Sequence, residues 1–343
     1  MISTRKLAEL AHVSQSTVSR CLNDKSNISP ETKERVRALA REHGYIVKKQ
    51  SKKVTCLASR RAIGVLLMQY QFYENLFVSQ LVYELESLIT DENYYVIPLL
   101  DYYGTGGVEK LRDLLKLRLI DSLIIINRKV DADIDRYLQQ IHLPHIYLIY
   151  HQRDNGPRRN VVDTDNVAAG YLATKHLIDL GHRRIATLTT SQDEFFDRTN
   201  GYRKALGEAD IPFDPHLILY AQASYESCYR TVLNRIHALK DITALFVQFD
   251  VGAMGAINAL QDEGYCVPED ISVVGLDGID IGAMLRPALT SVRQPIPKLA
   301  RAAISALLSL TDASGTPPQF PILIEPELIV RHSTAVPPRN PLK

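Results

Sequence analysis

The 343-residue sequence is poor in cysteine, lacks tryptophan and contains no long apolar run. Its four cysteines, Cys21, Cys56, Cys228 and Cys266, lie far apart and form no C-x-x-C pair, which favours free thiols in a reducing compartment over metal ligation. No window reaches the ~18 consecutive apolar residues of a membrane-spanning helix. The first residues, MISTRKLAEL, also lack the apolar core of a signal peptide. The sequence therefore predicts a cytoplasmic protein with no membrane segment.

The signatures of common α/β enzymes are missing as well. The chain has no phosphate-binding P-loop, no G-x-S-x-G nucleophile elbow and no H-E-x-x-H zinc helix. Residues 104–107 (GTGG) lack the third glycine of a dinucleotide fingerprint. His142 and His145 lie at the start of a predicted strand, where a loop role is favoured over metal binding. We therefore predict no catalytic residues, no metal site and no cofactor.

The net charge of +1 conceals a strong asymmetry along the chain. Residues 1–61 contain fourteen basic and five acidic side chains, a net charge of +9, whereas the remaining 26 basic and 34 acidic side chains give −8. A basic segment on an acidic body is typical of a nucleic-acid-binding region joined to a module that does not bind nucleic acid. A merely solvated basic surface is the alternative, and it is disfavoured because the charge coincides with a motif.

Three helical patterns separated by short turns occupy residues 3–44. The predicted helices span about 4–11, 15–22 and 30–43, with Ser3, Ser14 and Ser29 as their N-caps. Pro30 suits the first position of the third helix, and Gly44 suits its end. The side chains predicted to form the small core are Leu7, Leu10, Ala11, Val18, Leu22, Val36, Leu39 and Ala40. This arrangement predicts a helix-turn-helix unit.

The outward face of the second helix contains the candidate DNA contacts. In helix-turn-helix docking, the first residues of the second helix meet base edges in the major groove. Gln15 can pair bidentately with adenine, Arg20 can reach guanine or a phosphate, and each good bidentate pair discriminates by about 1–3 kcal/mol. The candidate contacts in this unit are Thr4, Ser14, Gln15, Ser16, Thr17, Arg20 and Asn23. A three-helix packing module without DNA is the alternative.

Three stretches, LAELAHVSQSTVSRCLND, ISPETKERVRALAREHGYI and IGVLL, closely resemble the LacI/GalR (lactose-repressor) family of bacterial transcriptional regulators. The family usually has Gly where His12 stands, and His tolerates left-handed backbone better than branched residues do, so we expect the turn to persist. The resemblance implies a DNA-binding domain over 1–46, a basic hinge over 47–61 and an effector-binding and dimerisation domain over 62–343.

The hinge, VKKQSKKVTCLASRR, departs from the usual family pattern. In the family this stretch becomes a short helix on DNA, and a Leu opens the minor groove. Leu57 is the nearest candidate for that wedge and Val54 the second, and apolar wedges of this kind bend DNA towards more contact. A disordered basic linker that slides along phosphates is about equally favoured.

From Ala62 onwards, short apolar runs alternate with amphipathic stretches, which predicts a parallel α/β body. Strands are predicted at 63–68, 94–99, 122–126, 145–150, 184–189, 217–220, 244–247, 272–275 and 289–293. Nine strands are more than a single sheet of this kind usually contains, so we expect two sub-domains. Sub-domain N comprises about 62–162 and 293–324, and sub-domain C comprises about 163–292 and 325–343. The layout, with landmarks such as PEDISVVGLDG at 268–278, resembles the periplasmic-binding-protein-like body of the family.

Ligands of open α/β sheets bind beyond the carboxyl ends of the strands, and two sub-domains add a cleft that can close. By this resemblance, Arg198 and Asp277 match positions that hold polar groups of the effector in the family. Phe249 stands where sugar-binding members often have Asn, and its ring could stack on a sugar or a purine. The candidate effector-binding residues are Asn75, Phe77, Tyr147, Arg198, Tyr225, Phe249 and Asp277, with Tyr70 and Tyr73 as further candidates.

The sequence as a whole predicts a homodimeric, sequence-specific DNA-binding transcriptional regulator, a repressor of carbohydrate-metabolism genes. Its partners are a palindromic operator in double-stranded DNA and a small-molecule effector, a sugar or sugar derivative, that controls operator affinity allosterically. A nucleobase-type effector and a solute-binding transport component of the same body fold are the alternatives. The sequence leaves open whether the effector releases the protein from DNA or promotes binding.

Overall fold

The computed structural model describes residues 4–22, 28–42, 62–67, 75–91, 94–100, 106–126, 132–150, 159–191, 193–239, 241–311 and 318–338. The chain divides into two compact units, Met1–Ser59 and Arg60–Lys343. The first unit contains the predicted helix-turn-helix and is called the head from here on. The second unit is the α/β body.

The head contains three helices, α1 (Thr4–Leu10), α2 (Gln15–Leu22) and α3 (Pro30–Glu42). The serines predicted as N-caps of α2 and α3 act as such, because Ser14 Oγ accepts a hydrogen bond from the amide of Thr17 at 3.1 Å and Ser29 Oγ accepts one from the amide of Thr32 at 3.3 Å. These bonds satisfy amides that have no partner within their own helix. His12 has a φ of 50°, which confirms the left-handed turn expected between α1 and α2.

The core of the head consists of small side chains. Its buried members are Ala8, Ala11, Val18, Cys21, Val36 and Ala40, with Leu22 and Leu39 partly buried at its margin. Cys21 is fully buried, a core role that the sequence analysis did not assign to it. The prediction for Leu10 is wrong, because its side chain is 37% exposed. With Ala8 and Ala11 turned inwards, the 100° step of the helix places Leu10 on the opposite side of α1.

The first sheet of the body has six parallel strands in the order β11-β5-β4-β3-β1-β2. They are β1 (Ala62–Leu67), β2 (Tyr95–Leu100), β3 (Ser122–Ile126), β4 (His145–Leu148), β5 (Val161–Thr164) and β11 (Ile322–Ile324). The helices around it are α4 (Leu76–Asp91), α5 (Gly107–Lys116), α6 (Ala132–Ile141) and α11 (Ile296–Thr311). Alternate residues of β1 enter two different hydrophobic clusters, so the sheet is covered on both faces.

The second sheet also has six strands, in the order β12-β10-β9-β8-β6-β7. They are β6 (Ile185–Thr189), β7 (Ile218–Tyr220), β8 (Ala244–Val247), β9 (Ser272–Asp277), β10 (Thr290–Arg293) and β12 (Glu327–Ile329). The helices are α7 (Asn166–Asp179), α8 (Asp193–Glu208), α9 (Tyr225–Arg235) and α10 (Asp250–Asp262). All pairs are parallel except β10 with β12. The predicted fold class, an all-α head and a body with two mostly parallel sheets, is therefore confirmed.

The chain passes between the two sheets three times. The crossings follow β5, follow β10 and connect β11 to β12. The first and third run side by side, because β11 pairs with β5 and the amide of Asp165 donates to the carbonyl of Ile324 at 3.0 Å. The second meets the first where Thr164 Oγ1 donates to Gln294 Oε1 at 2.9 Å. The carboxyl ends of the parallel strands of both sheets therefore face this junction.

Two glycines set the spacing between α7 and α8. A Cβ atom at Gly170 would lie 1.9 Å from the carbonyl oxygen of Arg198, and one at Gly201 would lie 2.1 Å from the carbonyl oxygen of Val167. Only a residue without a side chain permits so close an approach of two helices. The contact holds the amino-terminal half of α7 against the middle of α8, where Asn166 and Arg198 meet.

We expect Gly201→Ala to destabilise the body by about 1–3 kcal/mol or more, because the new methyl group meets backbone that cannot rotate away. Gly207→Ala is the matched control in the same helix, since a Cβ there has nothing within 4 Å. That change should be neutral or stabilise by about 0.5–1 kcal/mol through the helix propensity of Ala. Denaturant unfolding of both variants measures the difference, and equal stabilities would contradict the close-packing interpretation.

Candidate functional site

The exposed face of α2 is the first candidate surface. Gln15, Ser16 and Arg20 are exposed and Thr17 is half-buried, whereas Val18 on the opposite side is fully buried. This division matches the predicted orientation of the helix, with its polar first turn turned away from the core. A basic side chain and several hydrogen-bonding groups on one exposed helix face can contact base edges and phosphates together.

The N-cap of α2 organises part of that face. Ser14 Oγ lies 2.7 Å from Ser16 Oγ and 2.8 Å from Thr17 Oγ1, in addition to its bond to the Thr17 amide. Ser14 is therefore tied into the cap, and Ser16 and Thr17 are held in defined positions beside it. Of the other predicted contacts, Thr4 begins α1, and the side chain of Thr4 and all of Asn23 and Leu57 lie outside the described residues.

The second candidate site is a group of buried polar side chains at the carboxyl edge of the second sheet. Gln248 follows β8 and is fully buried, yet its amide is satisfied. Its Oε1 accepts from Thr189 Oγ1 at 2.8 Å, and its Nε2 donates to Thr187 Oγ1 at 3.1 Å and to Thr199 Oγ1 at 3.0 Å. We call Thr189, Arg198, Gln248, Asp250 and Asp277 the polar floor. Burial without such partners would cost several kcal/mol.

Arg198 lies in this floor with only 2% of its surface exposed. Its Nε donates to Asn166 Oδ1 at 2.8 Å, and its Nη1 donates to the carbonyl of Gln248. The guanidinium carbon is 4.7 Å from the centroid of the Phe195 ring, which fits a cation–π contact. Asn166 is itself oriented by a bond from its Nδ2 to Asp163 Oδ2 at 3.1 Å. These contacts fix the plane of the guanidinium, a requirement for directional binding of hydroxyl or carboxylate groups.

Asp250 and Asp277 form a pair of neighbouring carboxyl groups. Asp250 Oδ1 accepts from Ser291 Oγ at 2.6 Å and its Oδ2 accepts from the amide of Ile279 at 2.9 Å. Asp277 Oδ2 accepts from the amide of Asp250 at 3.4 Å. Burial of Asp250, together with the nearby charge of Asp277, raises the pKa of Asp250 to about 7, although its hydrogen bonds act in the opposite direction. The pair therefore does not readily hold two negative charges at neutral pH.

The backbone at Asp277 is strained. Asp277 has a φ of 134°, a region that residues with a Cβ atom rarely adopt, and Gly278 follows with a φ of 71°. A Cβ atom at Gly278 would lie 2.5 Å from the Cα of Arg293, so glycine is needed there. Strain of this kind costs of order 1–3 kcal/mol and persists where neighbouring contacts enforce it, as happens at many functional sites.

Asn75 lies at the opposite sheet, before the first turn of α4. Its Oδ1 accepts from the amide of Val78 at 3.2 Å, so the side chain caps the helix. The position follows β1 at the carboxyl edge of the first sheet, where the sequence analysis expected it. Tyr70 and Tyr73 lie outside the described residues.

Three aromatic residues predicted to line the cleft are instead buried in the core. Tyr147 is 1% exposed and donates from its hydroxyl to Asp135, and Arg159 lies 5.6 Å from its ring centroid. Burial and the bond to Asp135 raise the pKa of Tyr147. Tyr147 points to the cluster around α5 and α6 because it occupies the alternate register of β4. The structure therefore places Tyr147 in the core and not in the cleft, where it was predicted.

Phe77 and Phe249 require the same correction. Phe77 is 3% exposed in the cluster between α4 and α11, where it packs with the first sheet. Phe249 is 7% exposed, and its ring meets that of Phe195 edge-on at 5.7 Å. The space for the Phe249 ring comes from Gly252, where a Cβ atom would lie 2.6 Å from its Cζ. Both rings therefore pack in the hydrophobic core.

Tyr225 lies in a different place from the polar floor. It borders an open groove of about 310 Å³ between α9 and α10, lined by Tyr225, Glu226, Tyr229, Asn258, Gln261 and Asp262. The rings of Tyr225 and Tyr229 are stacked at 6.2 Å, and Asn258 Nδ2 donates to the Tyr225 hydroxyl at 2.7 Å. This groove includes no residue of the polar floor, so the structure does not bring Tyr225 together with Arg198 there.

The sequence analysis missed several polar residues of the site. The clearest are Thr164, Asn166, Gln248, Asp250 and Gln294, all buried. Each follows or ends a strand of one of the parallel sheets, and polar residues directly after an apolar strand would have been the signal that identifies them.

Among the residues that the structure describes, no helix has the length and hydropathy required to cross a bilayer. Within the same part of the chain, no three His, Cys, Asp or Glu side chains are grouped so that they could hold a metal ion.

Comparison with known proteins gives matches in both units. Residues 5–47 match the family model described as bacterial regulatory proteins, lacI family, and residues 174–334 match a periplasmic binding protein-like domain. Among curated proteins, the HTH-type transcriptional repressor PurR of Vibrio atlanticus is 30% identical over 318 residues, covering 90% of this chain and 91% of that protein. The HTH-type transcriptional regulator CelR of Thermobifida fusca is 29% identical over 338 residues, covering 95% and 96%.

Among solved structures, the lac repressor dimer bound to operator and the anti-inducer ONPF is 26% identical, with a TM-score of 0.70 over 97% of this chain and 99% of that one. The match to PurR extends through head and body alike. The chain belongs to the lacI family of bacterial regulatory proteins and is a helix-turn-helix transcriptional regulator.

Proposed function

We propose that this regulator acts in the cytoplasm as a homodimer that represses transcription from a palindromic operator, and that a sugar or sugar derivative bound above the polar floor controls its affinity for DNA. The observation that carries the proposal is the presence, in one chain, of an exposed polar face on α2 and a buried, fixed guanidinium at the junction of two sheets. The first suits base reading, and the second suits a polar ligand. Such a protein works by binding and not by catalysis.

The DNA half of the proposal is supported by the geometry of the head. Gln15, Ser16 and Arg20 are exposed on α2, and Ser16 and Arg20, four residues apart, share one face of the helix. A helix that presents such residues can enter the major groove, and a two-fold dimer then reads two half-sites of a palindrome. The related lac repressor was solved as a dimer bound to operator. Homodimeric binding to a palindrome is therefore the arrangement that we propose for this chain.

The effector half is supported by the chemistry of the polar floor. Arg198 supplies a planar donor, and Asp277 supplies a half-buried acceptor on strained backbone. A fixed donor and a fixed acceptor in one group of polar side chains suit the hydroxyl groups of a carbohydrate. The solved structure of a complex of the transcriptional regulator CelR with cellobiose is 27% identical to this chain, with a TM-score of 0.69. A sugar is held mainly through its hydroxyl groups and does not require stacking on Phe249, whose ring packs in the core against Phe195.

A solute-binding transport component would account for the body and leave the head without a role. The discriminating property is salt-dependent binding to duplex DNA, because contacts to phosphates release counterions and make affinity fall steeply with salt. The proposed regulator should show this dependence on any duplex, and a marked preference for a selected one.

For the DNA half, we expect Arg20→Ala to weaken binding to a duplex selected from a random pool by about 5- to 150-fold, the equivalent of the 1–3 kcal/mol of one bidentate base contact. Binding to unselected duplex should fall much less, so the ratio of the two affinities decreases. Arg35→Ala is the charge-matched control, because Arg35 is exposed on α3. Fluorescence anisotropy at fixed salt measures both affinities. An unchanged affinity ratio in Arg20→Ala would contradict base reading by α2.

For the effector half, cellobiose, ribose, other sugars and nucleobases are first compared by thermal shift, since a ligand at 100 times its Kd stabilises by about 2.7 kcal/mol. We expect a sugar to raise the melting temperature. Asp277→Asn should then weaken binding of that sugar at least tenfold, because it removes a charged acceptor worth about 1.5–3 kcal/mol. Asp280→Asn, an exposed neighbour, is the control.

Stabilisation by nucleobases alone would contradict the assignment to sugars. Equal sugar affinity in Asp277→Asn and Asp280→Asn would remove Asp277 from the site.

A further inference from the structure

Asp277, whose backbone is strained, is connected through its carboxylate and the side chain of Gln294 to the first and second crossings. Gln294, 3% exposed, follows β10 in the second crossing. Its Nε2 donates to Asp277 Oδ1 at 2.7 Å, and its Oε1 accepts from Thr164 Oγ1 at 2.9 Å. Thr164 ends β5 in the first crossing and is 1% exposed. A continuous chain of buried hydrogen bonds therefore links a residue of the proposed effector site to two of the three connections between the sheets.

This chain has a defined direction. A carboxylate only accepts hydrogen bonds, so the amide nitrogen of Gln294 must face Asp277 and its oxygen must face the hydroxyl of Thr164. The opposite orientation of the amide would place an oxygen against the carboxylate. The second oxygen of Asp277 is occupied by the amide of Asp250 at the start of α10. Any group that rotates or displaces the Asp277 carboxylate therefore disturbs the bond to Gln294.

The third crossing is tied to the same point. Thr164 pairs with Ile324 across the sheet, and the amide of the next residue, Asp165, donates to the carbonyl of Ile324 at 3.0 Å. On the side of the second sheet, the backbone N–H of Gln294 donates to the backbone carbonyl of Asp277 at 3.1 Å. All three crossings thus meet at Thr164 and Gln294, and a change at Asp277 reaches each of them within two hydrogen-bonded residues.

We infer that Gln294 and Thr164 are positioning residues that form a latch between the crossings, through which a ligand at Asp277 changes the relative orientation of the two sheets. The inference rests on the proposed allosteric function and specifies its structural route. Neither residue needs to touch the effector or the operator. The latch holds one arrangement of the crossings, and its loss admits others, so the fraction of protein with the operator-binding arrangement falls.

Thr164→Val tests the latch, because valine has nearly the shape of threonine and lacks only the hydroxyl. The effector-free full chain is measured on the duplex selected from the random pool. We expect at least a fivefold loss of affinity for that duplex, at the lower end of typical allosteric coupling, and unchanged affinity for unselected DNA. Thr164→Ser, which restores the hydroxyl, should return to within twofold of the wild type.

Thr174→Val is the matched control, since Thr174 is equally buried and its hydroxyl bonds only within α7, to the carbonyl of Gly170 at 2.8 Å. Hydrogen–deuterium exchange provides a second readout. Thr164→Val should speed exchange of the backbone N–H groups of Gln294 and Ile296 at least fivefold, because both form hydrogen bonds at the second crossing. Thr174→Val should not change these rates. If Thr164→Val speeds exchange but leaves operator affinity unchanged, the latch is only a structural contact and the inference is overturned. The inference is also overturned if Thr164→Val and Thr174→Val give the same exchange rates and the same operator affinity.

Failure of the proposed function appears separately, as the absence of any preferred duplex for the wild-type chain. Hydrogen–deuterium exchange alone then decides whether the latch exists. Faster exchange in Thr164→Val that extends to residues 322–326 of the third crossing supports the latch. Exchange equal to that of Thr174→Val overturns it.

Discussion

The body depends on the satisfaction of polar groups buried where its two sheets meet. Arg198, Gln248, Asp250 and Gln294 are almost fully removed from water, and each is held by hydrogen bonds to neighbouring side chains or backbone. An apolar junction of the same shape would be less costly to fold. Buried polar networks have few alternative arrangements, because most displacements leave a group without a partner. We therefore propose that the junction occupies a small set of discrete states, from which a ligand selects.

Close backbone packing makes this network possible. The glycines at 170 and 201 let α7 and α8 approach until Asn166 and Arg198 can bond, and Gly275 leaves room for the carboxyl group of Asp250, which would lie 2.3 Å from a Cβ at that position. The small residues have no chemistry of their own. They determine where the chemically active side chains lie, so substitutions at these glycines act on the site indirectly.

The helix caps, the left-handed turn at His12 and the two parallel sheets follow from local patterns that were readable in the sequence, because each depends on residues within one or two turns or strands. The strands β5, β11 and β12 were not predicted, since each has only three or four residues and is defined by pairing across the crossings. The orientations of Tyr147 and Phe249 were also beyond the sequence, as they depend on strand register and on space left by Gly252.

Control of DNA binding by a ligand in the body is most directly tested by reciprocity. If the sugar changes operator affinity by a given factor, thermodynamic linkage requires that saturating operator change sugar affinity by the same factor and in the same sense, typically 5- to 150-fold. Sugar titrations of the full chain with and without saturating operator duplex measure it. Equal factors in the two directions are the predicted result, and a sugar affinity that operator leaves unaltered would contradict the allosteric connection.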